Sequence, residues 1–425
     1  MRVLIVNTSE RTGGAAVAAN RLMDALINNG VKARMMVGEK ETEDLTVAAA
    51  SGRWRRQWAF LWERWCVFCA LRFRRTGLFD IDIANAGIDI TRTREFQEAD
   101  IIHLNWVNQG MLSLHGIKKI VNSGKPIVWT MHDFWPATAI CHYPRECTNY
   151  ASGQCHNCIY LPNNGSANDV SAHVWKNKAD IWRRANIHFV ACSRWLADKT
   201  RHSALLTGKA VTAIPNPIDS KLYRPADKGA ARRRLSLPLD KRLILFVSQR
   251  VTDKRKGMDY LIKACAKLNA DYPGMSQNTA VVVIGGHAEE CAGQIAFPVL
   301  PLGYINDEKR LIDVYNAADV FVLPSLEDNL PNTIMEAMAC ALPCVGFNTG
   351  GIPEMIEHKK TGYVAEYKSS DDLATGMAWV LREADTKAIG DNAVRKVATQ
   401  YSQQSVAMRY IEVYNQVAAL NPYGL

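Results

Sequence analysis

The segment Ser325-Leu326-Glu327-Asp328-Asn329-Leu330-Pro331-Asn332-Thr333-Ile334-Met335-Glu336-Ala337-Met338-Ala339 decides how the second half of the chain folds. The apolar run Val320–Leu323 precedes it and a helical pattern closes it, so the segment is the turn between a buried strand and a helix. Ligands of open α/β folds bind at this carboxyl end of a parallel strand. Asp328 and Glu336 bring two acidic side chains to that edge. A carboxylate there can accept both hydroxyls of a ribose, or it can be a solvated helix residue.

Outward from this segment, short apolar strands alternate with helical patterns in both directions. Strands of this kind are typical of parallel sheets that helices cover on both faces. We therefore predict an α/β fold with two doubly wound domains, 1–215 and 216–402, and a proline-punctuated boundary at Ile214–Asp219. The predicted strands are Arg2–Asn7, Val31–Val37, Asp100–Leu104, Pro126–Met131, Ile187–Cys192, Val211–Ile214, Leu243–Ser248, Ala280–Ile284, Val320–Leu323, Pro343–Phe347 and Tyr363–Ala365.

The overall charge favours anionic partners. The 425 residues carry 51 Lys and Arg against 42 Asp and Glu, a formal net charge of +9, which suits phosphates, anionic lipids or nucleic acid without choosing among them. The N-terminus does not form a secretory signal, and no run of about 18 apolar residues predicts a spanning helix. We therefore expect a cytoplasmic protein whose eleven cysteines are thiols or metal ligands rather than disulfides.

A basic loop follows the predicted strand that ends at Ser248. It runs from Asp253 through Lys254, Arg255 and Lys256 to Gly257, where a helix begins. An anion at this place would meet the backbone N–H groups of the helix start together with cationic side chains. Arg and Lys supply enough positive charge to hold a diphosphate without a metal. The alternative is a solvated basic loop without a ligand.

These motifs resemble those of family 4 (group 1) retaining glycosyltransferases of the GT-B fold, especially the bacterial exopolysaccharide branch that includes colanic-acid transferases. The resemblance rests on Glu327–Ala339, on Gly350–Glu354 and on Gly303-Tyr304, and it covers most of the chain. It implies two Rossmann-like domains that face a cleft. The first binds the acceptor and the second binds the nucleotide-sugar, and a C-terminal helix over 403–425 packs back on the first domain.

The resemblance also implies the roles of individual residues in the second half. A Glu-x7-Glu motif frames the nucleotide-sugar in this family, and here Asp328 stands at its first position, Asn329 beside it, and Glu336 at its second as the ribose ligand. Arg250 and Lys256 match the residues that hold the donor diphosphate. The implied catalysis is electrostatic, because these cations and the helix-start amides stabilise the departing nucleoside diphosphate. It needs no cofactor beyond the donor, and configuration is retained. No general base is evident in the sequence, and the leaving phosphate can take the acceptor proton.

In the first half the resemblance is carried by shorter motifs. Gly13-Gly14-Ala15, after the first predicted strand, looks like the glycine-rich loop near the donor phosphate and acceptor, although small residues also serve any tight turn. His132 follows the strand Pro126–Met131 and, by resemblance, lies in the cleft near the transferred sugar. Its imidazole can contact a sugar hydroxyl or the acceptor, and the alternative is a structural histidine.

A competing signal is Asp80-Ile81-Asp82, the Asp-x-Asp triplet that binds a metal in the other major transferase fold. Such a triplet is common by chance. The two-domain pattern and the motif around Glu336 argue against a metal-dependent enzyme of that kind.

Four cysteines, Cys141, Cys147, Cys155 and Cys158, lie within eighteen residues after His132. Four thiols can make a tetrahedral structural zinc site, although only the last pair has the spacing of a zinc knuckle, and His142 and His156 could substitute as ligands. The alternative is a set of unliganded thiols in a loop on the acceptor side. A nucleic-acid module is not expected, because the surroundings lack the helix pattern and basic stripe of a zinc finger.

The stretch Arg53–Arg75 combines seven arginines with Trp54, Trp58, Trp62 and Trp65 at helical spacing. Arginine with tryptophan on an amphipathic helix suits the surface of an anionic membrane. This agrees with the lipid-diphosphate-linked saccharide acceptor that the resemblance suggests. It predicts a peripheral protein at the inner face of the cytoplasmic membrane. The alternative is a partly buried helix of the first domain.

We therefore predict a retaining glycosyltransferase that moves a sugar from a nucleoside-diphosphate-sugar to a saccharide acceptor in bacterial polysaccharide biosynthesis. The sequence leaves two alternative functions open. One is a nucleotide-sugar epimerase or hydrolase of the same fold, which would need no lipid acceptor. The other is a non-catalytic membrane-associated binding protein.

Overall fold

The strands of the computed structural model pair in parallel throughout the described residues, which are 1–291 and 293–420. They form one sheet of seven strands and one of six. The chain divides into two units, each with its own sheet. Unit 1 comprises Met1–Pro217 and the chain from Gln403, and unit 2 comprises Ile218–Ser402.

Unit 1 is a doubly wound α/β unit. Its strands are β1 Arg2–Ser9, β2 Lys32–Glu39, β3 Val47–Ala49, β4 Ile101–Leu104, β5 Ile127–Met131, β6 Ile187–Ala191 and β7 Val211–Ala213. Its helices before unit 2 are α1 Gly14–Asn28, α2 Arg53–Ala70, α3 Arg94–Glu98, α4 Leu114–Asn122, α5 Asn149–Ser152, α6 Val170–Arg184 and α7 Arg194–Arg201. The strand order is β3-β2-β1-β4-β5-β6-β7, so the direction of winding reverses between β1 and β4.

Unit 2 repeats this scheme with six strands. They are β8 Arg242–Arg250, β9 Thr279–Gly286, β10 Val299–Gly303, β11 Val320–Leu323, β12 Cys344–Phe347 and β13 Gly362–Ala365. Its helices are α8 Lys228–Arg234, α9 Met258–Asp271, α10 Glu308–Ala317, α11 Asn332–Ala339, α12 Ile352–Met355, α13 Ser370–Arg382 and α14 Thr386–Gln400, and α15 Gln403–Ala419 then returns to unit 1. The order β10-β9-β8-β11-β12-β13 reverses between β8 and β11.

The alternation of side chains along β1 explains why its sheet has helices on both faces. Val3 and Ile5 lie in a core cluster with residues of α1 and α15, whereas Leu4 and Val6 lie in a second cluster on the other face. Successive strand residues point to opposite faces, so a continuous apolar strand must be covered twice. This is the physical basis of the predicted fold class, which the structure confirms.

Helix α15 is fastened to unit 1 by buried hydrogen bonds as well as by apolar packing. Tyr414 Oη lies 2.7 Å from His103 Nδ1, and Tyr410 Oη lies 2.9 Å from Thr130 Oγ1. Val406 of the same helix is fully buried among the side chains of β1. The predicted return of the C-terminal helix is therefore confirmed, and its predicted last residues, 421–425, lie outside the described residues.

The sequence analysis did not predict β3 and β10, which are one edge strand of each sheet. The first has three residues, and the second carries Pro301 and is only half-buried, so neither shows a long apolar run. Proline is tolerated at an edge because it removes a donor that a central strand would need. Among the described residues, no helix is long and apolar enough to cross a membrane.

Candidate functional site

The carboxyl ends of β8 and β11 bring together two of the residues of unit 2 that were predicted to bind the sugar donor. Lys256 follows β8 and Asp328 follows β11, and the Lys256 ammonium lies 2.6 Å from Asp328 Oδ2. Ser325 Oγ donates to the same oxygen at 3.3 Å. The two strands flank the point where the strand order reverses, which is where open α/β sheets bind ligands. This pair therefore marks the candidate site of unit 2.

Two glycines allow the loop after β11 to lie against its neighbours. Gly257 has φ +75°, and a Cβ on it would come within 1.9 Å of the carbonyl oxygen of Pro324. Gly350 has φ +57°, and a Cβ on it would come within 1.7 Å of the Asp328 carbonyl oxygen. Any side chain at either position would have to displace this backbone. The loop that carries Asp328 is therefore held between the β8–α9 and β12–α12 connections.

Helix starts and one further cation complete this edge. Helix α9 begins at Met258 and α11 at Asn332, and neither N-cap residue supplies a side-chain hydrogen bond. The first-turn N–H groups of such helices favour anions. Arg250 is the exposed last residue of β8, and within the described part of the chain its guanidinium forms no ion pair. The structure thus brings Lys256 and Asp328 together but does not join Arg250 to them.

Glu336 and Asn329 are buried rather than solvated. Glu336 lies in α11 and is 5% exposed, and Asn329 is 3% exposed. The Tyr315 hydroxyl of α10 donates to Glu336 Oε2 at 2.7 Å. Burial, followed by the negative charge of Glu336, raises the pKa of Tyr315 well above its usual range, so this tyrosine remains a donor. The alternative of a solvated carboxylate at 336 is therefore wrong, and Tyr315 is a partner that the sequence did not reveal.

In unit 1 the carboxyl ends of three neighbouring strands meet. Gly13, after β1, has φ +96° and precedes α1, which accounts for a glycine at this turn. Trp106 follows β4, and its N–H donates to Asn7 Oδ1 of β1 at 3.0 Å. His132 follows β5, and its Nε2 lies 3.1 Å from Asn105 Oδ1. His132 thus lies at the carboxyl end of β5, directly after the predicted strand.

Both ring nitrogens of His132 have partners. Nε2 faces the side-chain oxygen Oδ1 of Asn105, and Nδ1 lies 3.5 Å from the Cys192 sulfur. Burial lowers the pKa of His132 to about 4, and burial raises the pKa of the Cys192 thiol, which therefore keeps its proton. The imidazole is neutral at neutral pH. With Nε2 protonated it donates to Asn105, while the thiol donates to Nδ1.

A buried chain of charged groups lies beside His132. His142 Nδ1 is 2.7 Å from Asp133 Oδ2, and His142 Nε2 is 2.6 Å from Asp82 Oδ2. Asp82 is also paired with Arg64 of α2. Burial opposes the charge of His142, but the two carboxylates outweigh it and raise its pKa to about 10. We refer to Arg64, Asp82, His142 and Asp133 as the charged column.

The charged column also explains Asp80-Ile81-Asp82. Asp82 is fully buried and has both oxygens engaged, while Asp80 pairs with Arg145 at 3.6 Å. The triplet therefore serves the packing of unit 1 rather than a metal. The sequence analysis considered His142 only as a substitute zinc ligand and did not predict its pairing with Asp82 and Asp133.

The predicted zinc ligands lie in the connection between β5 and α6. Cys155 and Cys158 pack against the core cluster that contains the buried Cys141. Burial raises the pKa of Cys155 to about 12 and of Cys158 to about 11, and neighbouring thiols that include Cys147 raise both pKa values further. Throughout residues 1–291 and 293–420, however, no group of three or more His, Cys, Asp or Glu side chains is arranged to hold a metal ion. The four thiols are neighbours, but their arrangement does not fit a zinc site.

Helix α2 is buried along one face only. Glu63, Arg64 and Val67 are buried, and the backbone at Phe60 approaches Gly110 so closely that a Cβ there would lie 2.5 Å from the Phe60 nitrogen. The opposite face exposes large aromatic side chains. They are Trp54 at 84%, Trp58 at 68%, Trp62 at 46% and Trp65 at 53%, followed by Phe73 at 65%. We refer to these five residues as the aromatic face.

Two family models match the chain. The model of Glycosyltransferase Family 4 matches residues 12–222, and that of Glycosyl transferases group 1 matches residues 227–397. Together they cover both units.

Curated relatives match over part of their length. The chain is 28% identical over 218 residues to a D-inositol 3-phosphate glycosyltransferase from Thermobispora bispora, covering 48% of this chain and 50% of that protein. It is 22% identical over 232 residues to the N-acetyl-alpha-D-glucosaminyl L-malate synthase of Bacillus anthracis, covering 53% of this chain and 59% of that protein. The chain thus spans about half the length of the curated relatives it matches.

Solved structures match along nearly the whole chain. Sucrose-phosphate synthase from Thermosynechococcus elongatus has a TM-score of 0.68 at 18% identity and covers 99% of both chains. Anabaena HepE in complex with UDP-glucose has a TM-score of 0.62 at 16% identity, with 98% of this chain and 100% of that one covered. At this identity the likeness concerns the fold, which is that of GT-B glycosyltransferases with two Rossmann-like domains.

Proposed function

The chain belongs to the group 1 glycosyltransferases, and from this premise we propose that it transfers a sugar from a nucleoside-diphosphate-sugar to a saccharide acceptor with retention of configuration. The observation that carries the proposal is the pair of Lys256 and Asp328 at the strand-order reversal of unit 2. A cation, an acidic side chain and two helix starts at one sheet edge provide what a sugar diphosphate requires.

In the proposed reaction, the donor diphosphate binds Lys256, Arg250 and the first-turn amides of α9. These groups stabilise the negative charge that grows on the diphosphate as the bond to the sugar breaks, which is where electrostatic catalysis acts. Glu336 accepts the ribose hydroxyls, Asn329 lines the same pocket, and Asp328 contacts the transferred sugar. The buried position of Glu336 supports this role, because a carboxylate shielded from solvent is stabilised by hydrogen-bond donors of its surroundings, and a ribose hydroxyl can act as one.

His132 takes part as a neutral hydrogen-bonding group. Its lowered pKa supports contact with a sugar hydroxyl or the acceptor rather than with an anion. Asp133, the neighbouring carboxylate, is not a candidate base, because its oxygens already accept from His142, Trp106 and the Trp135 amide. The acceptor proton therefore passes to the leaving diphosphate, on the same face as the new bond.

The donor nucleotide is proposed by likeness to other members of the fold. HepE was solved with UDP-glucose, which makes UDP-sugars the first donors to examine. The curated relatives are named for inositol-phosphate and malate acceptors. For this chain we propose an acceptor saccharide on a lipid diphosphate, as in bacterial exopolysaccharide synthesis.

The aromatic face supports a lipid-linked acceptor. Arg53, Arg55, Arg74 and Arg75 are exposed along the same segment. Tryptophan inserts at the interface of a bilayer while arginine binds anionic headgroups. The protein is therefore proposed to bind the inner face of the cytoplasmic membrane as a peripheral protein, with α2 as its contact.

The proposal is tested by thermal stabilisation followed by turnover. UDP, GDP, ADP and their common sugar conjugates are added separately to the full chain, and the melting temperature is recorded. One nucleotide is expected to raise it, since a ligand that binds only the folded state stabilises by mass action. Its sugar conjugate is then incubated with lipid extract, and the anomeric configuration of the product is read by NMR. Absence of any shift and of any transfer contradicts the proposal, whereas hydrolysis alone favours the hydrolase alternative.

A further inference from the structure

Trp106 occupies the carboxyl end of β4, where the strand order of unit 1 reverses. Its carbonyl oxygen accepts from Thr8 N at 2.8 Å, and its own N–H donates to Asn7, so β1 holds its backbone on both sides. The indole is half-buried, whereas Asp133 and His142 beside it are each 7% exposed. The indole of Trp106 is thus partly exposed to solvent, while its polar neighbours Asp133 and His142 are buried.

The polar atom of this indole is already engaged. Nε1–H donates to Asp133 Oδ2 at 2.8 Å, the oxygen that also faces His142 Nδ1. The imidazole lies beside the indole, with ring centroids 5.6 Å apart and 32° between the planes. What Trp106 offers to a ligand is therefore carbon surface. Aromatic carbon surface packs against apolar faces, and the C–H face of a pyranose or a cyclic polyol is such a face.

Two side-chain amide nitrogens, those of Asn105 and Asn108, lack hydrogen-bond partners in the part of the chain that the structure describes. Asn105 and Asn108 are each 3% exposed, and among the described residues neither Nδ2 has a hydrogen-bond acceptor. Asn105 Oδ1 is the group that faces His132. Buried polar groups in folded proteins are nearly always paired, so an unpaired donor points to a partner that arrives from outside. A ligand hydroxyl supplies such an acceptor.

We propose that Trp106 and Asn105 form a subsite for a hydroxylated ring, a pyranose or a cyclic polyol, and that His142 is the positioning residue that holds Trp106 in place. The subsite itself does not depend on the proposed transferase activity. That activity adds only that the ring belongs to the acceptor.

The charged column explains why a cationic residue is needed at 142. Asp82 and Asp133 face the two nitrogens of His142, and without a cation between them the two carboxylates would repel each other. Arg64 pairs with Asp82 on the side away from His142, and Glu63 lies next to Arg64. Burial and, to a smaller extent, the negative charge of Asp82 raise the pKa of Glu63 to about 8. The fully buried Lys178 also interacts with both aspartates. The protonated imidazole balances the column and fixes Asp133, to which the indole is bonded.

The test is ring binding to the full-length protein, measured by saturation-transfer NMR with methyl α-D-glucopyranoside and, separately, myo-inositol. At least one probe is expected to bind the wild type. Trp106→Ala is expected to weaken binding at least tenfold and Trp106→Phe less, since phenylalanine keeps an aromatic face. Trp379→Ala, which truncates a half-buried tryptophan of unit 2, is the matched control and is expected to bind as the wild type does.

The positioning role of His142 is tested by the pH profile of binding. Ring affinity in the wild type is expected to be flat between about pH 6 and 9. His142→Asn removes the cation between Asp82 and Asp133, so the two carboxylates repel each other once both are ionised, and ring affinity is expected to fall as pH rises. Unchanged binding in Trp106→Ala, or binding of neither probe to the wild type, overturns the subsite. A flat profile in His142→Asn overturns the positioning role.

The two proposals can fail independently. Nucleotide stabilisation tests unit 2, and ring binding tests unit 1. A ring that binds through Trp106 without any nucleotide effect would leave the subsite supported and contradict the transferase proposal. If Trp106→Ala melts far below the wild type, ring binding is compared between Trp106→Phe and the control Trp379→Ala instead. Weaker binding in Trp106→Phe than in the control supports the subsite, and equal binding contradicts it.

Discussion

The ammonium group of Lys256 lies 2.6 Å from the carboxylate of Asp328, across 72 residues of sequence. The side chains are 24% and 13% exposed, so the ion pair is only partly screened by water. A diphosphate that binds Lys256 meets the negative charge of Asp328 at the same place. Asp328 therefore orients the ammonium and at the same time opposes the anion that the ammonium attracts.

The first prediction follows from this opposition. Lys256→Ala is expected to weaken binding of the stabilising nucleoside diphosphate roughly 10- to 100-fold, the usual cost of losing a hydrogen bond to a charged group. Asp328→Asn is expected to strengthen binding several-fold, because a repelling charge is removed, while transfer slows. Isothermal titration measures both. Lys254→Ala, which removes an exposed neighbouring cation, is the control, and an equal loss in that variant would show that the loop acts only through its net charge.

The second prediction concerns Glu336. Glu336→Gln is expected to weaken binding of the nucleoside diphosphate at least tenfold and to leave binding of inorganic diphosphate unchanged, because the carboxylate is assigned to the ribose. Competition titration distinguishes the two ligands. Tyr315→Phe removes the 2.7 Å bond to Glu336 and is expected to lower the free energy of unfolding by about 1–3 kcal/mol. Parallel losses for both ligands in Glu336→Gln would contradict the ribose assignment.

The sequence predicts the elements that local patterns of apolar residues determine, above all the central strands of both sheets. Each central strand is a run of apolar residues that is buried on both faces of its sheet, so the run itself marks the position of the strand. The edge strand β10 is only half-buried and contains Pro301, so it has no such run and was not predicted. The meeting of Lys256 with Asp328 was foreseeable because carboxyl ends of neighbouring parallel strands share one edge.

The charged column was not foreseeable in this way. His142 meets Asp82 across 60 residues, through a loop with no periodic pattern. Buried ion pairs of this kind depend on which side chains the tertiary fold encloses, and a sequence shows charges without their burial. The same limit applies to Trp106. Its hydrogen bond to Asp133 distinguishes it from the exposed tryptophans of the aromatic face, and the sequence does not show that contact.

The third prediction tests α2 as a membrane contact. Arg53→Glu, Arg55→Glu and Arg74→Glu together are expected to reduce co-sedimentation with anionic vesicles more than tenfold, since each basic residue near such a surface contributes about 1 kcal/mol. Arg56 is left unchanged because it pairs with Glu39 at 3.0 Å. The control reverses Lys309, Arg310 and Arg395, three exposed cations of unit 2. Equal losses in both triple variants would assign binding to net charge alone.

The fourth prediction concerns the cysteines. Cys69 is exposed, whereas burial raises the pKa of Cys155 and Cys158 to about 12 and 11. The thiolate is the reactive form, so Cys69 is expected to react with a thiol reagent at pH 7.5 at least tenfold faster than either. Mass spectrometry of partly alkylated protein gives the order. Elemental analysis of the same sample measures zinc, and one zinc per chain would show that the four thiols close around a metal after all.

The last prediction is a loss of stability at alkaline pH that originates at His142. Its pKa is raised from about 6.5 to about 10, so the folded protein keeps a proton that the unfolded chain releases. This stabilisation is complete below about pH 6.5 and disappears as pH rises through 10. Glu63, with its pKa raised to about 8, has the same sign but acts at lower pH. Over the interval from about pH 8.5 to 10, His142 contributes an expected loss of about 1–2 kcal/mol. The buried thiols, among them Cys155 and Cys158, also keep protons that the unfolded chain releases and add to the loss in this interval, so the share of His142 is the difference between the wild type and His142→Asn. Urea unfolding at both pH values measures it. His142→Asn is expected to lose less over this interval than the wild type, whereas His188→Asn, at a histidine whose pKa burial lowers, is expected to lose as much. Parallel behaviour of the wild type and His142→Asn would show that the imidazole is not charged in the folded protein.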